Sequence, residues 1–240
     1  MRQISRARRS TWPAAITKAG EQQGTGWERL GRLPLLLGAA AGPLFAATAL
    51  VEGILRSDYH PVRHPISSLA FGPRRGVQIA NFLMAGTFYG SLAIGLARSD
   101  TQDDRSRAIP ILVGTASAGL VMSGLLTADP VSGYPVGTPD KAVPTTVGTL
   151  HNLAALPLVV GMSGAALVEA ERSARRGQWI WAVSSALAGS FMPSAFVVAA
   201  AGFAQQRRLV ARAGLVQRMA VGTALGWATA LAIRRLEQVR

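Results

Sequence analysis

Ser57-Asp58-Tyr59-His60-Pro61-Val62-Arg63-His64-Pro65-Ile66-Ser67-Ser68-Leu69-Ala70-Phe71-Gly72 is a polar, proline-interrupted stretch between two long apolar runs, and that contrast decides the fold class. The flanking runs, 34–55 and 77–97, each approach the roughly 20 residues that cross about 30 Å of hydrocarbon, so the stretch reads as the turn of a membrane hairpin. Four further runs follow at 109–128, 149–170, 179–203 and 214–233. The expectation is an all-α polytopic membrane protein, a bundle of six transmembrane helices within 33–236. A basic, disordered arm at 1–32 precedes it, and a short tail at 237–240 follows.

Composition agrees with that reading. Of 240 residues, 15% are charged and 49% hydrophobic, against roughly a quarter charged in a soluble domain. The net charge of +13 falls at the edges of the apolar runs and in the arm, where arginine meets lipid phosphate, so no nucleic-acid role is read from it. A secretory leader fits poorly, because the apolar run at 34–55 exceeds a normal signal core. Cysteine is absent, which excludes thiolate metal sites and thiol nucleophiles. Lys18 and Lys141 are the only lysines, an arginine bias that suggests a GC-rich bacterial genome.

Six spans put both termini on one side. Sixteen Lys and Arg lie in the segments on that side against eight in the opposite loops, so the positive-inside bias puts both termini in the cytoplasm of a plasma-membrane protein. The glycine pairs Gly38/Gly42, Gly86/Gly90 and Gly222/Gly226 are expected to let helices approach closely. Tyr59, Tyr134, Trp179 and Trp181 are expected as interfacial anchors.

With this topology every histidine lies at the outer end: His60 and His64 in the first loop, His151 beside Asn152 at the start of the fourth span. Glu52, one turn inside the first span, and Asp129, at the end of the third, join them. An acid at such depth costs on the order of 3 kcal/mol, which marks it as a functional candidate. Helix dipoles oppose Glu52 and Asp129 at C-terminal ends and a cationic His151 at an N-terminal end, so partners such as Arg56, Arg63 or a bound cation are expected. The spacing His60-x-x-x-His64 resembles a one-turn metal pair, but Pro61 and Pro65 push the preceding histidines out of helical geometry, so the rings are not expected to meet on one face. The residual metal set is His60, His64, Asp129 and His151. Residues 66–73 read as a short half-helix with a serine cap, stopped by Gly72-Pro73, its N-terminus offering free N–H groups to an anionic headgroup. Residues 129–140, dense in turn formers, are expected to fold over the site as a lid. Haem ligation, a phosphate loop and a dinucleotide fingerprint are not supported, and no cofactor is implied.

Asp58-Tyr59, His64-Pro65-Ile66-Ser67, Leu69, Asn81-Phe82, Asp129-Pro130 and His151-Asn152 form a pattern that resembles the bacterial integral membrane family called domain of unknown function 998. The likeness spans about residues 35–233. It implies a six-helix bundle and gives weight to Ser67, Asp129 and His151, without implying a particular activity. The favoured expectation is a pocket of Glu52, Asp58, His64, Ser67, Asp129, His151 and Asn152 that binds a lipid headgroup or small polar ligand in the bilayer. A membrane-embedded lipid hydrolase, possibly metal-dependent, is the alternative. A transporter comes third, for want of an internal repeat.

Overall fold

The computed structural model describes residues 15–99 and 107–238, with side chains from residue 31 onward. Trp12 and the side chain of Trp27 lie outside that range, as do parts of the arm, of the basic segment after Arg98 and of the tail. The described residues form six α-helices and no strand: α1 (Ala15–Ile54), α2 (Arg75–Ser99), α3 (Ala108–Leu125), α4 (Thr146–Arg175), α5 (Trp179–Phe203) and α6 (Ala213–Gln238). The α1 helix begins within the segment expected as a disordered arm. The stretch expected as a half-helix is a 3-10 turn, Ile66–Ala70.

Each helix packs on its neighbours in sequence, and α6 closes back onto α1, giving a ring of six antiparallel rods. Five of the helices are long and apolar enough to cross a membrane. The sixth, α6, is of similar length but carries Gln217, Arg218, Arg234 and Arg235 near its ends, which leaves 219–233 as its uncharged middle. Three arginines and a glutamine near its two ends suit a spanning helix whose polar tips reach the interfaces.

Lipid tails are as apolar as leucine, so helices in a bilayer gain little from hiding large apolar groups and associate by close packing instead. The ring is built that way. Its interior is rich in Ala41, Ala85, Ala116, Ala165, Ala166 and Ala228, all fully buried, while Ile180, Leu187 and Val197 are more than half exposed on the outside. Between α3 and α4 the backbones nearly touch: a Cβ at Gly119 would stand 2.7 Å from the Ala154 carbonyl oxygen. Of the expected glycine pairs, Gly38, Gly42, Gly86 and Gly90 face neighbouring helices, whereas Gly222 and Gly226 face open space.

Candidate functional site

The end of the bundle that carries the 57–72 and 126–145 loops gathers the sequence-predicted residues, but divides them among three assemblies. The first is a latch. Glu52, 2% exposed, pairs with Arg56 at 3.2 Å and with Arg74 at 2.5 Å. Arg56 then donates to the Leu69 carbonyl at 2.8 Å, the Phe71 carbonyl at 2.9 Å and the Tyr134 hydroxyl at 3.2 Å. One guanidinium thus ties the end of α1 to the carbonyls that the 3-10 turn leaves without helical partners. The bond to Glu52 raises the Arg74 guanidinium above its ordinary value. The partner expected in Arg63 is instead Arg74; Arg63 pairs on the surface with Asp140 at 2.7 Å.

The second is an aromatic knot. His60 closes one turn, its carbonyl accepting from the Arg63 and His64 N–H groups at 2.9 and 2.8 Å. The rings of His60 and His64 therefore come within 5.5 Å of one another across a turn, with no helix face between them. A residue before proline is extended, as the residue capping a turn must be, and proline suits the first position inside one. His64 Nδ1 accepts the His60 N–H at 3.0 Å, and the ring also bonds to the Ser132 backbone. Burial holds the His64 imidazole below its ordinary value, assisted by His60 and Arg63. Tyr59 and Tyr134, expected at the interface, are buried and meet edge to face at 5.3 Å. Burial pushes the Tyr59 phenol up, against the pull of Arg218. Arg218 bonds to the Tyr59 hydroxyl, to the Pro61 carbonyl at 2.5 Å and to the His64 carbonyl at 2.9 Å, fastening the loop to α6.

The third lies between α3 and α4. The sequence puts Asp129 at the C-terminal end of the third span, but α3 stops at Leu125, and Asp129 reaches the N-terminus of α4. Its Oδ1 accepts from the Thr145 hydroxyl at 2.7 Å and its Oδ2 from the Thr145 N–H at 3.1 Å. Thr145 in turn caps α4 by accepting from the Gly148 N–H at 3.0 Å. A carboxylate there is at the favourable end of a helix dipole, and Gly148 leaves the room it occupies. His151, buried on α4, donates from Nδ1 to the Leu126 carbonyl at 2.9 Å. It therefore faces the carbonyl end of α3, the favourable side for imidazole N–H groups that the sequence alone does not reveal.

Asp58 and Asn152 are exposed; Asp58 acts on the knot only through its charge near His64. The first N–H of the 3-10 turn, expected free for an anion, belongs to Ile66 and is taken by Gln217 Oε1 at 2.8 Å; no side chain caps that turn. Among the described residues no three His, Asp or Glu stand together as a metal group.

Inside the ring, all six helices and the 3-10 turn enclose one slot. The slot is narrow, with a cavity volume of about 70 Å³. Phe45, Phe82, Leu120, Met162, Met192 and Leu225 make its apolar walls, and its polar lining is Ser67, Ser123, His151 and Gln217. From His151 to Met162 the slot follows α4 for about 16 Å at 1.5 Å per residue, half the thickness of a hydrocarbon core. Ser67 and His151, singled out from sequence, do share this space; Gln217 and Ser123 were not foreseen. The signal for Gln217 and Arg218 was a polar pair inside the first turns of an apolar run.

A ring of long apolar helices, with alanines at its closest internal contacts and large aliphatic side chains exposed around its outside, defines an integral membrane protein. The chain belongs to the family described as Protein of unknown function (DUF998), which matches residues 39–234. No curated protein and no solved structure matches it.

Proposed function

We propose that the protein binds a single-chain amphiphile, a lipid or lipid-like molecule, with its chain in the slot and its head at the Ser67 and His151 end. The observation that carries this reading is the convergence of four polar side chains at one end of an otherwise apolar slot about one leaflet long. Ligand sites commonly combine apolar walls with a few convergent polar groups. On the charge bias of the loops, the head end faces outward from a plasma membrane and both termini face the cytoplasm.

Native mass spectrometry of the full chain in mild detergent tests it. The wild type is expected to retain a co-purified amphiphile, and Ala155→Trp, which fills the slot, to lose it while keeping its helical circular dichroism. Retention unaltered by Ala155→Trp, or an empty wild type, would overturn the reading.

A second reading, a lipid hydrolase, is favoured by one feature: Ser67 and His151 line the same space, and the Leu126 carbonyl fixes the His151 ring through Nδ1. An anchored imidazole beside a hydroxyl is the minimum for an activated serine. No carboxylate orients His151, however, since both oxygens of Asp129 are engaged by Thr145. The metal-dependent version loses support because His64 Nδ1 and Asp129 already hold protein partners.

A further inference from the structure

The head group's chemistry follows from which atoms of the slot remain available, an inference that rests on the amphiphile reading above. We infer that the ligand carries an uncharged, hydroxyl-bearing head, as in a monoacylglycerol or a long-chain alcohol, and not a phosphate or a carboxylate.

Among the described residues, no Arg, Lys, Asp or Glu lines the slot. The arginines close to it in sequence are committed elsewhere: Arg218, next to Gln217, to the carbonyls of Pro61, His64 and Gly214 and to the Tyr59 hydroxyl, Arg63, three residues before Ile66, to Asp140, and Arg56 to Glu52 and the carbonyls of Leu69 and Phe71. An anionic head drawn into this space would be buried without a counter-charge, which proteins avoid because desolvating an unpaired ion is costly.

The neutral groups, by contrast, offer both kinds of hydrogen bond. Gln217 spends Oε1 on the Ile66 N–H at 2.8 Å, which leaves its NH₂ as a donor. Ser123 spends its hydroxyl proton on the Gly119 carbonyl at 2.8 Å, which leaves its oxygen lone pairs as acceptors. Ser67 brings one donor and two acceptor positions. An anion needs donors alone, and here two of the lining groups can only accept: Ser123, and neutral His151 at Nε2, whose Nδ1–H is given to the Leu126 carbonyl. A hydroxyl, which gives one hydrogen bond and takes others, matches the mixed set.

The experiment adds three chain-matched probes, monooleoylglycerol, oleate and oleoyl lysophosphatidate, to delipidated full-length protein in mild detergent at pH 8, and reads retention by native mass spectrometry. Retention of monooleoylglycerol at least tenfold above both anions is expected. Ser67→Lys, which places a cation at the head end, should raise oleate retention relative to monooleoylglycerol. Equal or stronger retention of oleate or lysophosphatidate by the wild type would overturn the neutral head while leaving the slot in place. Retention of none of the three would overturn the amphiphile reading itself, and this inference with it.

Discussion

Glu52 at the loop end and Glu169 at the opposite end are each 2% exposed, and each takes a largely buried arginine, Arg56 and Arg235, at 3.2 and 3.1 Å. The company they keep differs. Glu169 also accepts from Trp181 Nε1 at 2.9 Å and from Ser173 at 3.4 Å, so that it joins α4, α5 and α6 directly, rod to rod. Glu52 instead orients an arginine whose remaining donors hold the loose carbonyls of the 3-10 turn. A buried ion pair is thus used at one end to lock regular elements together and at the other to hold irregular backbone over a cavity. The second use is needed only where backbone lacks partners of its own, which inside a membrane protein is where a chain lines a space.

The largest expected effect separates the two ends. Glu52→Ala strands Arg56 and is expected to cost about 3 kcal/mol, read as lowered thermal stability in detergent, and to speed hydrogen exchange at 66–72. Glu169→Ala should cost a similar amount while leaving exchange at 66–72 unchanged. If both variants loosen that segment alike, the division of labour between the two glutamates is wrong.

A smaller loss, about 1 to 2 kcal/mol, is expected for Asp129→Ala, since it removes the carboxylate behind the Thr145 cap. Hydrogen exchange should rise in the first turn of α4 and not at the Glu169 end. A stability unchanged within error would mean that Thr145 caps α4 unaided.

The smallest effect depends on pH. His64 is held neutral by burial and accepts a backbone N–H at Nδ1, so its folded pKa lies below its unfolded one. The unfolded chain then binds the proton more readily. Stability is complete above the ordinary histidine value of about 6.5 and declines as pH falls through and below it. His64→Gln should flatten the thermal stability profile between pH 7 and 5.5, and an unchanged slope would assign the decline to other groups.

Much of the fold was legible in the sequence because the apolar runs are long: the expected fifth span coincides with Trp179–Phe203. The boundaries slipped where turn chemistry competes with apolar content, as at Leu126 to Ala128, which are apolar or small enough to extend α3 yet lie beyond its end. The candidate site was legible in part. The importance of Ser67 and His151 came from their residue types, and both line the slot. Sequence reading puts Asp129 at the wrong pole because the helix it serves has its cap sixteen residues later, at Thr145, a pairing that span arithmetic does not carry. Trp181 is read from sequence as an interfacial anchor, and Glu169 and Arg235 are not singled out, because each alone resembles an ordinary interfacial residue. Only their meeting makes them a unit.

The circular order of the helices has a consequence for how the molecule comes into being. Gly42 of α1 is shaped to receive Thr229 and Leu225 of α6, and the slot draws Gln217, Ala220 and Leu225 from that same helix. Until synthesis reaches α6, the first helix waits with one flank against lipid, and the interior is an open trough continuous with the bilayer. Docking of the final rod is therefore the step that turns a region open to the membrane into an interior.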